Sequence, residues 1–328
     1  MTQGNRAGTP KLVTVFGGTG FIGRHVIRRL AAEGTRVRVA VRDPEAGMFL
    51  KPMGDVGQIE LFQANLRDDA SVARAVAGAD QVVISVGLLF EGGRQTFEAV
   101  HVDGVGRVSR AASDAGVGKL VHISALGADE KGRSAYSRTK AAGEAAIREA
   151  FPGATIFQPS VVFGPEDNFF NQLGAMASLS PIMPIFARSM FDFEGAKFQP
   201  VFVGDVASAI IQVLNGDDAV GETLELGGPE VLSWRALVEF VLQATMRNRL
   251  MVPFLISLMK VFAFFLEMLP SPTLTRDQLR SMEVDNVLSG AGNGLEKLGI
   301  TPTPMEAVVP GYLARYQRPG RRRGLQHE

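Results

Sequence analysis

The sequence contains no cysteine and little histidine, and these shortages exclude several kinds of site. Without cysteine the chain forms no disulfide, thiol nucleophile or thiolate metal site, which fits a reducing compartment. The four histidines lack the spacing of metal ligands, so we predict no metal site: they are His25, His101, His122 and His327. Lys plus Arg and Asp plus Glu each number 34, so the net charge is zero and no nucleic-acid partner is expected.

The chain also lacks a long uninterrupted apolar run. Residues 1–10 have no apolar signal core, so we predict a flexible leader there and no signal peptide. In the most apolar stretch, residues 251–269, Lys260 and Glu267 interrupt the run, and we predict no membrane-spanning helix. We expect an amphipathic helix that lies in a membrane interface, against a membrane-embedded partner or, alternatively, against the protein's own core. Its apolar face would include Phe254, Leu258, Phe262 and Phe265.

Short β-branched runs alternate with helical patterns from Lys11 onward, beginning with "LVTVF" and ending with "ATIFQPS". This alternation predicts an α/β fold with a doubly wound, Rossmann-like parallel sheet and helices on both faces. After Phe163 the rhythm breaks in a stretch rich in Pro, Gly and Phe, and we expect a smaller, mostly helical C-terminal lobe. The predicted parts are a leader at 1–10, a nucleotide-binding domain at 11–165 plus about 199–228, the smaller lobe at 166–198 plus 229–316, and a basic tail at 317–328.

Gly17, Gly20 and Gly23 stand at the junction of the first predicted strand and helix. This spacing allows a tight turn, a close approach of phosphate to the backbone and close packing of helix on strand, so it predicts dinucleotide binding. A glycine-rich turn without a ligand is the alternative. The other residues predicted to contact the cofactor are Gly18, Thr19, Phe21, Ile22, Leu66, Val86, Gly87 and Pro159.

The end of the second predicted strand carries Arg42 where an NAD-binding site usually has an acidic residue. A guanidinium there suits the 2′-phosphate of NADP, so we predict NADPH in preference to NADH. Arg24 and Arg38 could assist. The alternatives are that these arginines are solvated surface charge and that the neighbouring Asp43 binds a ribose.

Tyr136 and Lys140 are one helical turn apart in "SAYSRTKAAGE". An ammonium beside a tyrosine stabilises the phenolate, which brings proton transfer to a carbonyl into reach near neutral pH. Ser124 ends the fifth predicted strand, at the sheet edge where ligands bind, and its hydroxyl could hold a substrate carbonyl. The alternative for Tyr136 and Lys140 is an ordinary helix-surface pair, and Lys140 would also hold a nucleotide ribose in a protein that never reacts.

Three of these segments, "VFGGTGFIGRHVIRRL", "YSRTK" and "QPSVVFGPEDNF", resemble the extended and atypical short-chain dehydrogenase/reductases. A narrower resemblance covers nearly the whole chain. "VHISALGAD", "YSRTKAAGEAAIREAFPGATIFQPSVVFGPEDNFFNQ", "QPVFVGDVA" and "LTRDQLRSMEVDNV" are similar to the NADPH-binding accessory subunits of respiratory complex I. The last segment lies outside the cofactor-binding fold, so it discriminates between subfamilies better than the glycines do.

The narrower resemblance implies a tightly held, structural nucleotide and no established substrate. It implies phosphate contacts at the three glycines, a 2′-phosphate contact at Arg42 and a ribose contact at Lys140. Asn65 is expected beside the adenine, where many relatives carry Asp. The resemblance also implies other complex I subunits as partners. The expected location is peripheral, on the cytoplasmic face of a bacterial inner membrane or the matrix side of a mitochondrial one.

Three functions therefore stay open on the sequence. The first is an NADPH-bound accessory subunit in which Ser124, Tyr136 and Lys140 are vestigial. The second is an NADPH-dependent reductase or epimerase that acts on an isoprenoid, sterol or nucleotide-sugar carbonyl. The third is a redox sensor that changes partners with the state of its nucleotide. The arginines near the end of the chain attract phosphate-bearing surfaces, including anionic lipids, or form a solvated terminus.

Overall fold

The structure is a computed structural model that describes residues 11–269, 272–290 and 292–318. The chain folds into two compact units. Unit 1 contains the described residues up to Glu130, together with Arg138–Gln158 and Ala207–Leu224. Unit 2 contains Lys131–Ser137, Pro159–Val206 and the described residues from Glu225 onward. The predicted leader and most of the predicted tail lie outside the described residues.

The strands and helices follow one another in the order that the hydrophobic patterns indicate for most of the chain. The strands are β1 (Leu12–Phe16), β2 (Arg36–Val41), β3 (Ile59–Gln63), β4 (Gln81–Ile84), β5 (Lys119–Ile123), β6 (Thr155–Pro159), β7 (Val162–Phe163), β8 (Ile182–Ala187), β9 (Lys197–Phe198), β10 (Val201–Phe202), β11 (Thr223–Leu226), β12 (Leu232–Ser233) and β13 (Leu250–Leu255). The α-helices are α1 (Phe21–Ala32), α2 (Asp69–Val76), α3 (Val105–Asp114), α4 (Ala135–Ala150), α5 (Phe169–Leu179), α6 (Val203–Asn215), α7 (Trp234–Ala244), α8 (Ile256–Leu266), α9 (Arg276–Ser281), α10 (Gly294–Lys297) and α11 (Val309–Leu313).

A seven-stranded sheet forms the centre of the nucleotide-binding fold, in the order β11-β6-β5-β4-β1-β2-β3. The chain runs outward from β1 in one direction through β2 and β3, then returns to β4 and runs outward in the other direction. Every residue of β1 and β4 is buried, as expected for central strands covered on both faces. The predicted doubly wound parallel sheet is confirmed, and the reversal of strand order lies between β1 and β4.

Unit 2 differs from the sequence prediction in two places. The stretch 166–198 was expected to hold no strand–helix unit, yet it forms α5 and β8. Residues 251–269 were expected to form one helix, but β13 takes the first part and pairs in parallel with β8 along its whole length. Each strand contains a proline, Pro184 in β8 and Pro253 in β13. Because proline is rare in a central strand, the sequence pattern did not predict these strands, although a two-stranded pair tolerates it.

Helix α8 has its charges turned toward the protein and its apolar side chains turned outward. Lys260 pairs with Glu283, and Glu267 accepts hydrogen bonds from Arg276. Four apolar side chains of the helix are more than half exposed: Leu258, Val261, Phe262 and Phe265. Phe254, predicted on this face, lies on β13 instead and is 37% exposed. None of the helices in the described residues is both long and apolar enough to cross a bilayer.

Glu283 anchors α8 to the remainder of unit 2, because its carboxylate accepts from both Lys260 and Arg133. Partial burial opposes ionisation of this carboxyl group, but the hydrogen bonds and charges of Lys260 and Arg133 outweigh it and lower the pKa of Glu283. A carboxyl group whose folded pKa is lowered stabilises the fold above its unfolded pKa, and that contribution is lost as the pH falls through the folded value.

We therefore expect Glu283→Gln to reduce the free energy of unfolding at pH 7 by about 1–2 kcal/mol. The difference from the wild type should shrink as the pH falls below 4.5, the ordinary pKa of the group. Thermal unfolding of both proteins across this pH range measures the effect. Glu306→Gln is the matched control, since Glu306 is exposed and makes no ion pair within the described residues. A deficit that does not change with pH would contradict the assignment.

Candidate functional site

The loop between β1 and α1 packs so closely against backbone that Gly17 and Gly23 leave no space for a side chain. Gly17 has φ +83°, and a Cβ there would lie 2.7 Å from the carbonyl carbon of Ser85. A Cβ at Gly23 would lie 2.3 Å from the carbonyl oxygen of Gly17, and one at Gly18 would lie 2.5 Å from the Val39 side chain. These contacts pack the loop against its neighbours and leave its backbone to form the surface.

The amino end of α1 offers backbone amides without a competing side chain. Gly20 is its N-cap, no side chain in the described part of the chain caps it, and the first turn contains no acidic residue. Arg24 braces the loop by donating to the carbonyl oxygens of Thr19 and Gly20, and its guanidinium lies over the Phe49 ring. Amides and dipole at such a helix end favour an anion, so the loop fits the diphosphate of a dinucleotide.

The polar side chains in and after β2 differ in whether they are already hydrogen-bonded within the protein. Arg42 is exposed at the carboxyl end of the strand. Asp43 accepts from the amide of Glu45 and so caps the turn that follows. Arg38 was expected to be able to assist Arg42, but it pairs with Glu60 and donates to two backbone carbonyls, those of Ala75 and Ala77. Arg42 is therefore the arginine at this strand end with a side chain available to a ligand.

Four predicted cofactor contacts lie in the connections that follow β3 and β4. Asn65 and Leu66 follow β3, and the Asn65 side-chain oxygen accepts from the amide of Arg67, which shapes the turn. After β4, the Ser85 hydroxyl donates to the carbonyl oxygens of Phe16 and Gly17. This bond ties the end of β4 to the glycine loop and sets Val86 and Gly87 beside it.

Lys140 continues this arrangement on α4. Its side chain is buried, and Nζ donates to the carbonyl oxygen of Ile123 at 3.2 Å. A Cβ at Gly87 would lie 3.7 Å from Nζ. The structure therefore brings Gly17, Gly87 and Lys140 together at the carboxyl edge of the sheet in unit 1. Tyr136 and Pro159, two further predicted contacts, belong to unit 2.

Ser124 directly follows β5, and its hydroxyl is already engaged. It donates to Glu144 on α4, whose two carboxylate oxygens also accept from the Gln158 amide at 2.8 and 3.0 Å. A serine has one hydroxyl proton to donate. Because Glu144 takes that proton, this arrangement leaves Ser124 able only to accept a further hydrogen bond.

The pKa values of the ionisable groups on α4 are also shifted, and the shift at Tyr136 is opposite to the one that a reductase needs. Burial raises the pKa of Tyr136 to about 12, whereas proton transfer near neutral pH requires a lower value. Burial lowers the pKa of Lys140 to about 8, against the opposing attraction of Glu144, so the ammonium is easily lost in weakly alkaline solution. Burial also raises the pKa of Glu144 above its usual range, although its hydrogen bonds and nearby cations oppose the change.

His101 is a site residue that sequence reasoning missed. It lies in a π-helical segment, Glu98–Gly104, where its Nε2 accepts from the Leu88 amide at 2.9 Å. Its Nδ1 lies 3.2 Å from the Thr139 hydroxyl, and burial together with the charge of Lys140 lowers its pKa to about 3. His101 is therefore neutral and holds the connection after Gly87. Single-turn π segments often mark functional sites, but nothing in the local sequence announces one.

The first turn of α4 is held by a carboxylate from far along the chain. Within unit 2, Asp277 accepts from the amides of Ala135 and Tyr136 at 2.7 and 3.0 Å. Asp277 belongs to "LTRDQLRSMEVDNV", the segment whose resemblance separates subfamilies. That segment therefore contributes directly to the helix that carries Tyr136 and Lys140.

Comparison with known proteins agrees with this geometry. A family profile described as NAD(P)H-binding matches residues 17–162. The mitochondrial NADH dehydrogenase (ubiquinone) 1 alpha subcomplex subunit 9 of Mus musculus is 33% identical over 318 residues, covering 96% of this chain and 83% of its own length. The mitochondrial NADH-ubiquinone oxidoreductase 40 kDa subunit of Neurospora crassa is 30% identical, covering 93% and 79%. The chain belongs to this family of complex I subunits.

Solved structures agree on the fold alone. The triphenylmethane reductase of Citrobacter sp., solved with NADP(H), has a TM-score of 0.72 at 20% identity and covers 92% of this chain and 99% of its own. The resemblance to complex I subunits inferred from the sequence segments is thus confirmed, and the chain carries an NAD(P)H-binding domain.

The buried carboxyl group of Glu144 has a measurable consequence. A carboxyl group whose folded pKa is raised makes the fold less stable as the pH rises from its unfolded pKa through the folded value. We expect the stability of Glu144→Gln relative to the wild type to increase as the pH rises from 4.5 to neutral, because the amide carries no charge.

Thermal unfolding of both proteins across that pH range measures the gain. Glu149→Gln, an exposed position on the same helix, is the control and should follow the wild type. A stability difference between Glu144→Gln and the wild type that stays constant with pH would refute the burial of an ionisable group at this position.

Proposed function

We propose that this protein is an NADPH-binding accessory subunit of respiratory complex I, and that its nucleotide is a largely structural cofactor. The observation that carries the proposal is the similarity to complex I subunits over nearly the whole chain, together with a glycine loop that fits a diphosphate. A ligand that binds only the native state stabilises it by mass action, so a bound dinucleotide would stabilise unit 1 without any turnover.

Arg42 and Asp43 support NADPH as the nucleotide. The Arg42 side chain is exposed at the strand end where the adenine ribose binds in this type of fold. Asp43, which would favour NADH by binding the ribose hydroxyls, instead caps a turn. Gly17, Gly20 and Gly23 would contact the diphosphate, Asn65 and Leu66 the adenine, and Lys140 the nicotinamide ribose.

We expect Arg42→Ala to weaken NADPH binding about 10- to 100-fold, because the 2′-phosphate loses a charge-assisted hydrogen bond. NADH binding should change little. Calorimetric titration of nucleotide-free protein with both cofactors measures the effect. Arg36→Ala, at the opposite end of the same strand, is the matched control. An equal loss of affinity for both nucleotides would contradict the assignment of Arg42 to the 2′-phosphate.

The second candidate function is a reductase or epimerase that acts on an isoprenoid, sterol or nucleotide-sugar carbonyl. The presence of Ser124, Tyr136 and Lys140 in suitable order favours it. Three features disfavour it: the Ser124 proton is donated to Glu144, the pKa of Tyr136 is raised, and the pKa of Lys140 is lowered. We therefore place these residues in nucleotide binding and helix packing, and treat catalysis as vestigial.

The outward apolar face of α8 supports a membrane-side location for the subunit. The helix turns its charges inward and exposes Leu258, Phe262 and Phe265. Exposure of these side chains to water is unfavourable unless another apolar surface covers them. We propose that this face contacts the membrane interface or a membrane-embedded subunit, on the cytoplasmic side of a bacterial inner membrane or the matrix side in mitochondria.

We expect affinity isolation of the tagged protein from solubilised membranes to recover other complex I subunits together with NADPH. The triple variant Leu258→Ser, Phe262→Ser, Phe265→Ser should lose most of that recovery and keep its nucleotide. A control variant with three exposed apolar positions of unit 1 changed, Met48→Ser, Val56→Ser and Val220→Ser, should behave like the wild type. Recovery of the wild type as a soluble monomer, while the complex is intact elsewhere, would overturn the proposal.

A further inference from the structure

Three arginines meet in unit 2 where α7, β13 and the last described residues come together. We call Arg247, Arg249 and Arg318 the arginine cluster. Arg247 donates through Nε to the carbonyl oxygen of Tyr316, two residues before Arg318. Arg249 donates through Nε to the carbonyl oxygen of Ala177, near the end of α5. Both guanidinium groups are thus held through Nε, and no hydrogen bond joins their outer nitrogens to another of the described residues.

The backbone itself is bent to place these side chains. Met246 has φ +53°, a left-handed conformation that side chains rarely adopt, directly after the end of α7. The turn closes with the amide of Met246 donating to Gln243 and the amide of Arg247 donating to Leu242. The chain then continues into β13, and only Asn248 separates Arg247 from Arg249.

The cluster carries concentrated positive charge without a matching anion. No carboxylate in residues 11–269, 272–290 and 292–318 lies within ion-pair distance of its members, whereas Arg188, Arg235 and Arg276 in the same unit each have at least one. Some desolvation and the neighbouring charges of Arg249 and Arg318 lower the pKa of Arg247. Like charges held this close destabilise a fold unless an anion offsets them.

Exposed apolar side chains lie next to Arg249 in the chain, on the strand partner of Leu250 and at the helix end that Arg249 binds. Leu250, 65% exposed, follows Arg249 directly and is paired in register with Ile182. Leu179, 88% exposed, stands at the end of α5, two residues after the carbonyl that Arg249 binds. Met176, one turn earlier on the same helix, is 37% exposed. We call these four residues the apolar rim.

A structural role alone explains only part of this arrangement. Arginines often bind the last carbonyls of a helix, and Arg249 does so at α5. Binding a backbone carbonyl uses only one nitrogen of each guanidinium group and does not require exposed apolar side chains nearby. Several cations beside exposed apolar side chains are instead the combination that binds an anionic membrane surface, where phosphate meets the guanidinium groups and acyl chains meet the rim.

We propose that the arginine cluster and its apolar rim form a binding site for the phosphate headgroup of an anionic phospholipid. This site lies at the opposite end of β13 from α8 and does not depend on complex I or on the nucleotide. We choose a lipid because a free phosphate or a nucleic acid has no acyl chains to contact the apolar rim.

The test is flotation of the purified, nucleotide-loaded full chain with vesicles. One vesicle preparation is pure phosphatidylcholine, and the other is an equimolar mixture of phosphatidylcholine and phosphatidylglycerol. We expect binding to the anionic vesicles to exceed binding to the neutral ones, and to weaken as salt shortens the screening length. Arg247→Gln with Arg249→Gln should reduce partitioning into the anionic vesicles about 30-fold, from roughly a fivefold loss per arginine.

Two matched variants separate charge from folding. Arg247→Lys with Arg249→Lys loses the same Nε bonds but keeps the charge, and should retain most of the binding. Arg28→Gln with Arg74→Gln removes two exposed arginines from unit 1 and should bind as the wild type does. Arg318→Gln, which disturbs neither of the two Nε bonds, should weaken binding severalfold even if the double glutamine variant fails to fold.

The outcomes that would overturn the proposal are equally specific. One is equal partitioning into neutral and anionic vesicles. A second is an equal loss in the unit 1 control, which would mean that only net charge matters. A third is displacement from vesicles by millimolar inorganic phosphate, which would assign the cluster to a soluble anion. Binding to RNA without binding to anionic vesicles would overturn it as well.

Discussion

The close approach of the glycine loop to the end of β4 is the constraint on which the nucleotide site depends. The space for a side chain at Gly17 is filled by the backbone of Ser85, and the space at Gly23 is filled by the Gly17 carbonyl. This packing turns the amides of α1 outward and sets Gly87 and Lys140 beside the loop. The sheet supplies the positions, and the lack of side chains lets the backbone pack this closely and leaves its amides at the surface.

Much of this arrangement could be predicted from the sequence, because it depends on local patterns. The run "LVTVF" became β1 with the same bounds, and Gly17 and Gly20 fell between a strand and a helix as expected. The roles of Glu144 and His101 in the site could not be predicted from local patterns. Their partners come from other strands and loops, such as Ser124 and the Leu88 amide, and no short motif records such a contact.

The smaller unit resisted prediction for a different physical reason. Its core is an aromatic cluster that includes Phe163, Phe170 and Trp234, and its strands are short or interrupted by proline. Such segments are stabilised by tertiary packing more than by their own periodicity, so β8 and β13 left no readable pattern. The same packing explains α8, whose charged residues are satisfied by Glu283 and Arg276 within the unit and whose apolar residues are not covered.

The bond between Asp277 and the first turn of α4 spans 142 residues of chain. A ribosome therefore releases the turn that carries Tyr136 well before it synthesises the carboxylate that caps it. Domains commonly begin to fold from the amino end during synthesis. Here the sheet can assemble early, and Ser134 can already accept from the Ser137 amide, but the amides of Ala135 and Tyr136 gain their carboxylate partner only after the carboxyl-terminal segment has emerged, so the full set of bonds at the start of α4 depends on completion of the chain.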